Sequence, residues 1–199
     1  MDNTIQNKIK LLFVIESLHC GGAEKSLVTL LQNIDYSNYK VHLLLTRQGG
    51  EFEKFVPVQV DFIYKDLYKG IGVLSNLKSR LYFLFLRKIN RFKKYHLAQL
   101  FWKSFGKGMS KHNDVYDIAI AYNQGFASYY VANKITANKK IAWLNTDYQK
   151  AGYKIKFDFE YYKLFDKIVC VSQENQTSLL NALRDIEKEI PTIVIKDIT

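Results

Sequence analysis

Cysteine and proline are nearly absent from this chain, which has two of each in 199 residues. With no apolar leader ahead of them, Cys20 and Cys170 read as reduced intracellular thiols, not as a disulfide or part of a metal site. Both are expected as small buried side chains at the ends of strands. Pro57 and Pro191 each stand just before an expected strand, where a missing N–H does little harm. Long hydrophobic runs are missing as well. The first apolar run is interrupted at Glu16, and no stretch reaches the ~20 residues of a membrane-crossing helix. The four histidines, His19, His42, His96 and His112, are scattered without metal-ligand spacing, so no metal is expected. No G-x-G-x-x-G occurs, and the second expected strand ends in Thr46-Arg47 without an acid for a ribose. No G-x-x-x-x-G-K-[ST] is present either. A dinucleotide-dependent dehydrogenase is thereby disfavoured and a P-loop nucleotidase excluded, and no cofactor is expected.

Acidic residues are missing from one long interval. Between Asp66 and Asp114 there are eleven lysines and arginines and no carboxylate, while the chain as a whole nets +10. One segment, 67–113, therefore carries the entire excess of positive charge. Its charges, among them Arg80, Arg87, Lys88, Arg91, Lys93 and Lys94, alternate with Leu81, Phe83, Phe85, Phe92, Phe101 and other large apolar side chains. Helical periodicity makes it an amphipathic element, broken at some point between Gly72 and Lys111. Cations rimming an apolar face suit an anionic membrane surface, which those six residues are expected to contact. The alternative is a helix whose apolar face packs on the sheet while its charges are merely solvated. Nucleic acid is not an expected partner, because aromatics that stack on bases lie on exposed strands and these lie on a helix.

Elsewhere the pattern switches repeatedly from strand to helix. Strands are expected near Ile9–Ile15, Val41–Leu45, Val60–Tyr64, Ile118–Ala121, Lys140–Leu144, Ile168–Val171 and Thr192–Ile195. Helices fall between them at Ala23–Asn33, Ala127–Lys134, Phe157–Phe165 and Glu174–Arg184. This alternation predicts an α/β fold, a Rossmann-like three-layer sandwich around a mostly parallel sheet. Gly21-Gly22 closes the turn from the first strand into the first helix. Such a turn offers unpaired N–H groups and the positive helix end to a phosphate or a sugar hydroxyl, or it needs glycine only for its dihedrals.

Three segments in order, GGAEKSLVTLL, KIAWLNTDY and FDKIVCVSQENQTSLL, resemble the N-terminal half of a GT-B glycosyltransferase. The similarity is to the retaining family 4 enzymes that build bacterial surface polysaccharides. It implies that residues 1–199 form the N-terminal, acceptor-binding Rossmann-like domain, and that a C-terminal domain absent from this chain holds a nucleotide-sugar donor. It further implies transfer to a saccharide or lipid-linked acceptor, at the cytoplasmic face of the cell membrane. The domain alone would be inactive. By position, Gly21 and Gly22 would line the cleft floor. Gln124 and Gly125 would lie at the end of the fourth strand, Asn145 and Asp147 at the end of the fifth, and Ser172 at the end of the sixth. Ser172 also suits a helix N-cap, and Asp147 an Asx-type loop stabiliser. Asn145 stands where the family pattern W-x-H-x-D has histidine; it can hydrogen-bond a hydroxyl but cannot titrate near neutral pH. That departure keeps open a non-catalytic sugar- or lipid-binding module. The lack of a D-x-D motif, with Asp158-Phe159-Glu160 as a near miss on a helix, argues against a metal-dependent GT-A enzyme.

Overall fold

The computed structural model describes residues 8–69 and 71–197, without the side chain of Lys93. Its strands are β1 (Ile9–Val14), β2 (Tyr39–Leu45), β3 (Val60–Tyr64), β4 (Val115–Ala121), β5 (Thr136–Leu144), β6 (Lys167–Cys170) and β7 (Thr192–Val194). Its helices are α1 (Gly22–Gln32), α2 (Val73–Lys93), α3 (Leu97–Phe105), α4 (Phe126–Lys134), α5 (Ile155–Tyr162) and α6 (Gln173–Arg184). The strands form one sheet in the order β3-β2-β1-β4-β5-β6-β7, with every pairing parallel. β1 shows why its sequence is apolar from Leu11 onward. Leu12 and Val14 point into one core, against side chains of α3 to α6, while Leu11 and Phe13 point into another that contains Leu27 and Leu31 of α1. Helices on both faces leave neither face of Leu11–Val14 to water. Each such aliphatic side chain contributes about 1.5–3 kcal/mol when fully buried.

The basic segment divides into two helices with different surroundings. Lys94 terminates α2 in the left-handed conformation (φ 50). Asn90 then clamps the break, its Oδ1 accepting from Tyr95 N–H at 2.7 Å and its Nδ2 donating to the Tyr95 carbonyl at 2.8 Å. A capping box between His96 and Gln99 starts α3. Leu100, Trp102 and Phe105 of α3 are buried in the main core, so this part of the aromatic run is structural. α2 is the opposite case, since none of its described side chains is fully buried. Leu74, Leu77, Leu81, Leu84, Phe85 and Phe92 are 52–76% exposed. Its inner stripe around Phe83 packs on α3, not as a face laid on the sheet: Phe83 meets Phe101 and Phe105 edge-on at 6.1 Å.

Behind the sheet, one buried carboxylate ties the helical layer together. Asp158 of α5 is fully buried. Its Oδ1 accepts from Gln99 Nε2 at 2.7 Å and from the Tyr129 hydroxyl at 2.6 Å, and its Oδ2 accepts from the Tyr148 hydroxyl at 2.6 Å. Burial pushes this carboxyl up to about 6, against the pull of the three donors. The cysteines part company. Cys170 is buried at the end of β6, but Cys20 is exposed, because β1 has ended at Val14 and the chain has left the sheet by residue 20.

Candidate functional site

The chain order along the sheet reverses between β1 and β4. From β1 the chain moves outward to β2 and β3, and from β4 it moves the other way to β5, β6 and β7. The connections that follow these two neighbouring strands therefore diverge and leave a crevice at their carboxyl ends, where open α/β sheets bind ligands. The segments reaching this edge are Glu16 to Gly22 after β1, Thr46-Arg47 after β2, Tyr122 to Gly125 after β4, and Asn145 to Tyr148 after β5.

Gly21 and Gly22 do not serve a dihedral need. Gly21 is the N-cap of α1 in ordinary extended backbone (φ −172, ψ 164). Gly22 opens the helix, and neither has a positive φ. A Cβ on Gly22 would meet nothing within 4 Å, whereas one on Gly21 would collide with the flexible carboxylate of Glu24. The first N–H groups of α1 have no intrahelical acceptor, and the Glu24 carboxylate stands beside Gly21 at this end. Gly125 differs. It has φ 84 and ψ −123, and a Cβ there would lie 2.8 Å from the Tyr153 hydroxyl and 3.0 Å from Ala98 Cβ. Gly125→Ala is therefore expected to lower stability by about 1–3 kcal/mol. Gly22→Ala should leave it within about 0.5 kcal/mol and alter only ligand binding. Urea denaturation of the two variants checks the contrast.

Three of the other expected contacts are engaged within the protein. Gln124 is buried. Its Nε2 donates to the Thr146 carbonyl at 3.2 Å and to the Thr146 hydroxyl, while its Oε1 accepts from the N–H of Asn145 at 3.1 Å and of Thr146 at 3.4 Å. It is the clamp that joins the β4 and β5 loops. Asp147 takes its Asx role: Oδ1 accepts from the Ser178 hydroxyl at 2.7 Å and from Lys150 N–H at 2.9 Å. These bonds hold its carboxylate low. The Ser172 hydroxyl accepts from Asn175 N–H at 3.1 Å and caps α6. Asn145 donates through Nδ2 to the Tyr122 carbonyl at 3.2 Å, and its buried Oδ1 has no partner among the described residues. His19 lies in the loop, paired with Glu51 at 3.3 Å. Arg80, Arg87, Lys88, Arg91 and Lys94 are all exposed along α2 or at its end, while the side chain of Lys93 lies outside the described residues.

Sequence reasoning missed a cavity of about 480 Å³ beside the crevice, into which Glu16, Thr46 and Arg47 bring polar groups. Its apolar wall includes Phe83 of α2, Leu97 and Phe101 of α3, and Phe126. Burial pushes the Glu16 carboxyl up to about 7; nearby Glu24 adds to this and Arg47 partly offsets it. A signal was present, since Glu16 is the first charge after an otherwise apolar strand and Arg47 follows the next one.

Among the described residues no helix is long and apolar enough to cross a membrane, and no cluster of three or more His, Cys, Asp or Glu is placed to hold a metal ion. The fold is a Rossmann-like α/β domain. It is similar to the solved structure of Anabaena Alr3699/HepE in complex with UDP-glucose, with a TM-score of 0.51 and 15% sequence identity. The match covers 95% of this chain and 44% of that one, so the chain spans less than half the length of that protein. At this identity the likeness is one of fold. No protein-family model matches the chain, and no curated protein matches it.

Proposed function

We propose that this chain is the N-terminal, acceptor-side domain of a GT-B glycosyltransferase of the retaining family 4 type. Its reaction is transfer of a sugar from a nucleotide-sugar donor to a lipid-linked saccharide in surface polysaccharide synthesis, at the cytoplasmic face of the membrane. The observation that carries the reading is the glycine turn at the β1/β4 crevice. No backbone conformation requires glycine at position 22, and a Cβ there would meet nothing within 4 Å; the first N–H groups of a helix have no intrahelical acceptor and suit a donor phosphate. Likeness of fold to a protein solved with UDP-glucose supports the same ligand class. The donor itself is held by a second domain facing this crevice. In this arrangement Gly21 and Gly22 approach the donor phosphates, and Asn145 contributes hydrogen bonding but no proton transfer.

Asn145 also favours a second reading, a sugar- or lipid-binding module without chemistry, because its amide is already tied to the Tyr122 carbonyl. One experiment separates the two. Sugar transfer from UDP-glucose and other nucleotide sugars to a lipid extract is assayed with the 199-residue chain and with any longer protein the same gene encodes. The expected result is transfer by the longer protein and none by this chain. Transfer by the chain alone would contradict the division of labour, and no transfer by either would favour the module.

A further inference from the structure

The cavity at the ends of β1 and β2 has two chemically different walls and lies beneath a helix with an unusual outer surface. Phe83, Leu97 and Phe101 make one wall, and Glu16, Thr46 and Arg47 stand at the other. A volume of about 480 Å³ lies in the range of small-ligand sites, which combine apolar enclosure with a few convergent polar groups. Leu97 marks the mouth, since it lines the cavity yet is 57% exposed. The outer side of α2, which roofs the cavity through Phe83, carries the exposed apolar stripe flanked by Arg80, Arg87 and Arg91.

We propose that this cavity binds the head end of a glycoside carrying an apolar chain, the chain lying along Phe83, Leu97 and Phe101 and the sugar hydroxyls meeting Glu16 and Arg47. The proposal rests on the acceptor-domain reading and specifies where and how the acceptor is held. The Glu16 carboxyl keeps an acceptor oxygen whether or not it is protonated and the Arg47 guanidinium donates, so the two together match neighbouring hydroxyls, one used as donor and the next as acceptor. Among the described residues neither Glu16 nor Arg47 forms an ion pair within 4 Å, which leaves both available to a ligand. A free sugar would use only one wall, and an alkane only the other. Both are therefore expected to bind more weakly than the conjugate.

The test is a titration of the 199-residue chain with n-octyl β-D-glucoside, kept below its micelle-forming concentration and followed by NMR. Saturable shifts are expected at Leu97, Phe101 and Phe126, with methyl β-D-glucoside at least roughly tenfold weaker. Glu16→Ala, which removes the acceptor, should weaken binding roughly tenfold. Leu97→Arg, at the exposed mouth, should weaken it similarly without disturbing the core. Shifts confined to the outer face of α2, or unchanged affinity in both variants, would overturn the proposal. No transfer assay enters this test, so a protein that binds the glycoside here and yet transfers no sugar would lose the transferase reading and keep this site.

Discussion

Asp158→Ala is expected to lower the stability of the domain by about 3 kcal/mol or more. The substitution leaves Gln99 Nε2 and the hydroxyls of Tyr129 and Tyr148 without their shared acceptor. Each buried donor left unsatisfied costs about 1–3 kcal/mol, partly offset because an ionisable group no longer has to be buried. Asp158→Asn is the control for shape; its oxygen can keep Gln99 and Tyr129 while the Tyr148 hydroxyl rotates to accept from its amide nitrogen, so its effect should be smaller. The pair also reports the sign of the pH dependence. The folded-state pKa is raised from 3.8 to about 6, so folding favours the protonated carboxyl. That contribution is complete below the unfolded value and is lost as the pH rises through about 6. Relative to the native chain, Asp158→Asn should thus gain roughly 2–3 kcal/mol between pH 4 and pH 7. Chemical denaturation across that range measures it, and a constant difference between the two proteins would rule out this account of the buried charge.

The second large effect concerns the outer face of α2. A chain carrying Arg80→Glu, Arg87→Glu, Lys88→Glu and Arg91→Glu is expected to lose binding to anionic phospholipid vesicles. Each cation at such a surface contributes about 1 kcal/mol, so removing four weakens binding by about three orders of magnitude, and the new carboxylates are repelled in addition. All four side chains are exposed, which keeps the substitutions from disturbing the fold. Native binding should fall as salt is raised, because these charges are screened at the water interface. Leu81→Asp with Phe85→Asp addresses the apolar half of the contact and should weaken what survives at high salt. Vesicle sedimentation reads both effects. Equal binding by the native and charge-reversed chains would remove the membrane from the proposed function.

The layering of the fold was legible because its signals are local. Strands buried on both faces, such as Leu11 to Val14, have to be apolar at every position, and α1 and α6 follow them with ordinary helical spacing. The break in the basic segment was legible only as a break. Its place depends on Asn90 reaching Tyr95, a contact that composition does not announce. The site was harder. A polar residue at a strand end looks the same whether it awaits a ligand or holds a neighbouring loop. Gln124 and Asp147 proved to be engaged with Thr146 and Ser178, partners distant in sequence. Glu16 escaped notice for the converse reason: what distinguishes it is a half-buried place near Arg47 and Glu24, and burial of a charge is a property of the assembled chain.

The exposure of α2 has a consequence for how the molecule comes apart. A helix of 21 residues that gives no described side chain fully to the interior adds little to the cooperative unit formed by the sheet and its other helices. Its amides should exchange with solvent through local openings far smaller than global unfolding, while those of α3, held in the core by Trp102 and Phe105, exchange only with the whole. The boundary between these two tiers falls at the Lys94–His96 break. The domain is in that sense a rigid body with a detachable roof, and the wall that Phe83 lends to the cavity belongs to the part that can lift.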